Sequence, residues 1–122
     1  MRKSLLLLFL VLLLFSCGYN DLSSPTTCGT NNPARDLVWL KNEITQLEMQ
    51  DATIRKYFYI RQGVYQDKSV FVTLNCCPMC YSTPPLVKDC TGQVLFDFED
   101  PRAKQVMLSK VIWKPSDLAC TN

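Results

Sequence analysis

Hydrophobic and polar positions change period several times along the chain. Leu5 to Phe15 is an unbroken apolar run preceded by Arg2 and Lys3, the basic-then-apolar order of a secretory leader. At about 1.5 Å per helical residue the run falls far short of the ~30 Å hydrocarbon layer, so it does not read as a membrane span. Further on, Leu37, Leu40, Ile44 and Leu47 recur every three or four positions, with Val38 and Trp39 beside them. Lys41, Asn42, Glu43, Gln46 and Glu48 fill the other face, and Asn32-Pro33 supplies an N-cap and a first-position proline. This pattern predicts a helix over 34–50. The period then becomes two. Ile54, Phe58 and Ile60 share one side of a strand and Tyr57 and Tyr59 the other, while Val70, Val72 and Leu74 alternate with Phe71 and Thr73. With Gly63 to Ser69 between them, these runs predict a hairpin. Val94 to Phe98 follows as a strand after the turn Asp89-Cys90-Thr91-Gly92, Asp100-Pro101 caps a short helix over 101–108, and Lys110 to Lys114 is a last strand before Pro115. The expected fold is α+β: one N-terminal amphipathic helix packed on a small antiparallel sheet, braced by disulfides.

The residues after the leader change where the chain is expected to go. Leu14-Phe15-Ser16-Cys17 resembles a bacterial lipobox, in which the Cys is lipidated and becomes the mature N-terminus. The alternative is an ordinary cleaved signal with Cys17 in a disulfide. Lipid on Cys17 leaves six cysteines, an even number, whereas seven strand one thiol in an oxidising compartment. Gly18 after the Cys suggests the outer membrane, by resemblance to other lipoproteins. The expected partner is therefore the membrane, through the covalent lipid, and no other cofactor is expected. The organisation that follows is a signal peptide over 1–16, a lipidated Cys and Ser/Thr/Asn-rich tether over 17–33, and one small domain over 34–122.

Charge narrows the function. The net +2 comes from Arg2 and Lys3; without the leader, 11 basic residues face 11 acidic ones. That balance argues against nucleic acid, since a binder needs a basic excess to displace counterions. The chain has no histidine, which removes the Ser-His-Asp triad, the Cys-His pair and His-ligated metal sites.

Cys76-Cys77-Pro78-Met79-Cys80 follows a strand, and Cys90 lies ten residues further on. Three chemistries are open. Thiol–disulfide exchange is the first: in the thioredoxin fold a motif such as Cys77-Pro78-Met79-Cys80 opens a helix whose N-terminus stabilises the thiolate of the first Cys, and Tyr81-Ser82-Thr83-Pro84-Pro85 does not continue as one. A thiolate metal site would draw on Cys76 or Cys77, Cys80, Cys90 and one more, but zinc ribbons pair two such knuckles and this chain has one; no metal is expected. A disulfide framework is the third. Cys76, Cys77, Cys80 and Cys90 are expected to pair among themselves and Cys28 with Cys120, tying the tether to the tail.

Tyr57 and Tyr59, with Arg55 and Arg61, form a candidate carbohydrate- or anion-binding surface; the same pattern also fits a half-exposed sheet face. Asp97, Glu99 and Asp100 are an acidic cluster read as solvated surface. The Trp39-Leu40-Lys41 helix, the aromatic hairpin, Cys76-Cys77, the Leu86 to Val94 turn-strand and the terminal Val111-Ile112-Trp113-Lys114 together resemble a family of short bacterial outer-membrane lipoproteins carrying a domain of unknown function. That resemblance covers roughly residues 34–114 and implies fold and location. The expected function is a lipid-anchored, non-enzymatic binding or structural module of the cell envelope with a protein partner there. The alternatives are a periplasm-facing redox protein using Cys77 and Cys80, or a disulfide-rich protease inhibitor with a stiff loop from Cys80 to Cys90.

Overall fold

The computed structural model describes residues 27–121; the expected leader, Cys17 and residues 18–26 of the expected tether lie outside them. Within this range the chain forms a five-stranded antiparallel sheet, three short helices and a 3-10 turn. The helices are α1 (Pro33–Asp36), α2 (Val38–Glu48) and α3 (Ala52–Arg55). The strands are β1 (Phe58–Tyr65), β2 (Lys68–Asn75), β3 (Leu86–Lys88), β4 (Val94–Asp97) and β5 (Met107–Trp113), with the 3-10 turn Pro101–Gln105 leading into the last. Strand order is β4-β3-β2-β1-β5, so β5 returns to pair with β1.

The single long helix expected over 34–50 is not present. Asn32 accepts a hydrogen bond from the Arg35 N–H and Pro33 opens one turn, but Leu37 is extended (φ −82°, ψ 113°) and divides α1 from α2. The break turns Leu37 and Ala34 onto the same core as Leu40, Ile44 and Leu47. Ile54, expected in a strand, belongs instead to α3, which Asp51 caps by accepting from the Thr53 N–H at 2.8 Å. The helix expected over 101–108 is a 3-10 turn, capped by Asp100, that gives way to β5 at Met107.

The hairpin is tighter than its sequence suggests. Its loop is two residues, Gln66-Asp67, not Gly63 to Ser69, and Tyr65 pairs directly with Lys68. Both turn residues have positive φ (48° and 60°), the hand that matches the strands' twist. Gly63 lies inside β1, where a Cβ would stand 2.6 Å from the Met107 carbonyl oxygen of β5. It lets the edge strand approach.

Alternation along the strands makes two cores. On one face Ile60 and Phe71 pack beneath Leu40, Ile44 and Leu47 of α2, with Phe58, Ile112 and Trp113 at the margin. On the other, Val70, Val72, Val87 and Phe96 are packed by Ala103 and Val106 from the β4–β5 connection and by Leu108 of β5. Phe96 is held edge-on by Tyr65 (4.9 Å) and faced by the Arg102 guanidinium (4.6 Å).

Three disulfides brace this small core: Cys28–Cys90, Cys76–Cys120 and Cys77–Cys80. The expected Cys28–Cys120 pair is overturned, as is the expectation that Cys90 pairs with Cys76, Cys77 or Cys80. Residues 27–30 do not trail off as tether. Thr27 is buried, its hydroxyl accepting from the Gln62 amide at 2.7 Å, and this brings Cys28 to the β3–β4 turn that carries Cys90. The C-terminal tail runs instead to the start of β1, where Ala119 N–H donates to the Lys56 carbonyl at 2.7 Å and Cys76 N–H to that of Tyr57 at 3.0 Å. Cys120 thus lies beside Cys76.

Candidate functional site

Helix α2 is too short to cover its whole face of the sheet. Beyond its reach, toward β3, the same face forms the floor of an open groove of about 550 Å³. Phe58, Thr73, Asn75, Leu86 and Lys88 make the floor, which follows from register: Phe58 opposes Asn75, and Lys88 opposes Phe71. Glu43 and Ile54 stand on one side. The segment from Cys80 to Pro85 forms the other, tied down where Phe98 N–H donates to the Pro85 carbonyl at 3.0 Å.

At the inner end a polar relay is built into the apolar setting. Glu43 accepts from the Thr73 hydroxyl at 2.5 Å and from Lys88 Nζ at 2.6 Å. Both charged side chains of this pair are about three-quarters covered (24 % and 22 % exposed), so solvent screens them less than a surface pair. Lys88 also stands 5.8 Å over the ring of Trp39. Trp39 meets Phe71 edge-on at 5.7 Å and donates its indole N–H to the Cys90 carbonyl at 2.9 Å. Helix, sheet and the Cys28–Cys90 bridge therefore converge on one charged pair at the groove's end. Ile54 and Leu86 line the groove and remain exposed. The arrangement can hold an extended, partly apolar chain with a polar contact at Glu43 and Lys88.

The four residues singled out as a binding surface do not form one patch. Arg55 ends α3 and donates to the Glu48 carbonyl at 3.2 Å, on the α2 side. Tyr59 and Arg61 point to the opposite face, opposing Leu74 and Val72, and Arg61 donates to the Ser109 carbonyl at 2.8 Å. Tyr57 precedes β1, with Lys56 over its ring at 5.1 Å. Arg61 thus joins β1 to β5, and Arg55 joins α3 to the end of α2. Nothing in the sequence pointed to Glu43 and Lys88, which lie 45 residues apart.

Cys77 and Cys80 form their own bridge across a turn, with Cys77 N–H donating to the Asn75 side chain at 2.8 Å. No helix follows; residues 81–85 have no regular structure. Among the described residues no cluster of three or more Cys, Asp and Glu is placed to hold a metal ion. Asp97 accepts from the backbone N–H of Glu99 and Asp100, and Asp100 pairs with Arg102 at 2.7 Å, so two of the acidic cluster's three carboxylates cap turns. No helix among the described residues is long and apolar enough to cross a membrane. Comparison of the chain with protein-family profiles, with curated proteins and with solved structures finds no match.

Proposed function

We propose that the protein is a lipid-anchored, non-enzymatic binding module of the outer membrane, held by Cys17, with the groove beside Glu43 and Lys88 as its binding surface. The observation that carries this reading is the cysteine pairing. All six cysteines from Cys28 onward pair among themselves, so the domain makes no demand on Cys17. A Cys following an apolar run and left out of the cross-links suits acylation. The resemblance to short outer-membrane lipoproteins supports the same location, and the partly covered ion pair in an apolar groove supports recognition of a protein segment.

Labelled palmitate tests the anchor. The wild-type chain expressed in a diderm bacterium takes up label and sediments with membranes, and Cys17→Ala abolishes both. A Cys17→Ala chain that still carries label refutes the assignment.

A further inference from the structure

We infer that the Cys77–Cys80 disulfide is a thiol–disulfide exchange site whose substrate is a cysteine-bearing, extended polypeptide lying in the adjoining groove. This rests on the groove being the binding surface and adds a stoichiometric chemistry to it. Three relationships set this bridge apart from the other two. It is accessible: Cys80 is open to solvent, and its neighbours Met79 and Tyr81 are 92 % and 106 % exposed, so a thiolate can approach the Cys80 sulfur. Cys28, by contrast, packs against the main core, and the Cys120 sulfur lies against the Tyr57 carbonyl, 3.5 Å away. The bridge is also local, spanning three positions in a turn after β2, so opening it leaves the sheet cross-linked by bridges that span 62 and 44. Finally, Cys80 itself lines the groove with Ile54, Phe58 and Leu86, so an apolar chain lying there carries its own side chains past the sulfur.

The exchange balances without a further reagent. A substrate thiol gives its proton to water and its sulfur bonds to Cys80 Sγ. Cys77 Sγ leaves with the electron pair of the broken S–S bond and takes up a proton. A second thiol of the substrate then attacks the substrate sulfur of the mixed disulfide, and Cys80 departs as the thiol. The substrate dithiol is oxidised by two electrons and the Cys77/Cys80 pair is reduced by two; a low-molecular-weight disulfide reverses the change.

The test uses the full chain in detergent, exposed to limiting reduced glutathione, quenched with iodoacetamide and mapped by mass spectrometry. Cys77 and Cys80 are expected to become alkylated about tenfold faster than the other four cysteines. A short peptide with one Cys flanked by Leu and Val is expected to open the bridge about tenfold faster than glutathione, and Leu86→Asp to remove that advantage. Equal opening of all three bridges overturns the inference, and so does equal reactivity of peptide and glutathione. The Ser analogue of the peptide, followed by fluorescence anisotropy, then separates the premises: binding without exchange leaves the groove and removes the chemistry, whereas no binding removes both.

Discussion

Gly92 lies against the indole of Trp39 so closely that a Cβ there would stand 2.7 Å from both Cγ and Cδ2 of the ring. Its φ of +85° adds a second reason for glycine. Trp39 cannot withdraw, being held by the Cys90 carbonyl and by Phe71. Gly92→Ala should therefore cost about 2–4 kcal/mol, from overpacking and the left-handed backbone together. Gly29 is the control: its φ is +76° but open space surrounds it, so Gly29→Ala should cost only about 1 kcal/mol. Urea unfolding measures both, and equal losses would refute the packing argument.

The Glu43–Lys88 pair should show coupling in a double-mutant cycle. With Glu43→Gln and Lys88→Met, the interaction energy is expected at about 1 kcal/mol, at the upper end for accessible pairs because both side chains are largely covered. It should persist in high salt. A coupling that vanishes there would mark the pair as ordinary surface charge.

The three disulfides should differ in what they contribute to stability. Loop-closure entropy assigns about 4 kcal/mol to each bridge spanning 62 or 44 positions, and about 2 kcal/mol to the one spanning three. Paired Cys→Ser replacements compared by thermal unfolding should follow that order. A Cys77/Cys80 double replacement as damaging as Cys28/Cys90 would contradict it.

Acid should loosen the β4–β5 connection. The Arg102 side chain, followed by its backbone N–H, hydrogen-bonds the Asp100 carboxylate and lowers its pKa from the ordinary 3.8 to about 2. A depressed folded value means that the contribution is complete above pH ~4 and lost as pH falls through about 2. Asp36, Asp51 and Asp89 are also lowered, by hydrogen bonds from Arg35, Thr53 and Thr91 respectively, and add in the same direction. Asp100→Asn should flatten part of the stability loss between pH 4 and pH 2. An unchanged acid profile would show that the cap contributes nothing.

Periodicity made the buried stripe Leu40, Ile44 and Leu47 legible, together with the alternation that pairs β1 with β2, because apolar spacing reports which face is covered. Other features were hidden for identifiable reasons. Gly63 reads as a turn residue, yet it serves a close approach between strands, while the true turn Gln66-Asp67 lacks the glycine such turns favour. Strand β3 has three residues, too few to show a period. Disulfide partners depend on where the tails pack, and the seat of Thr27 beside Gln62 leaves no local trace in the chain. The groove is a gap between α2 and β3. Gaps have no sequence pattern.

The interleaving of the two long bridges bears on how the protein is made. Three cysteines stand between Cys28 and Cys90, and three between Cys76 and Cys120. A chain made N-terminus first presents Cys28 to Cys76, Cys77 and Cys80 before Cys90 is added. Linking thiols in order of appearance therefore gives the wrong partner to Cys28. It also leaves Cys76 without its own partner until Cys120 follows. The native pairing therefore requires that Cys28 be free, or be released from an earlier linkage, when Cys90 reaches it.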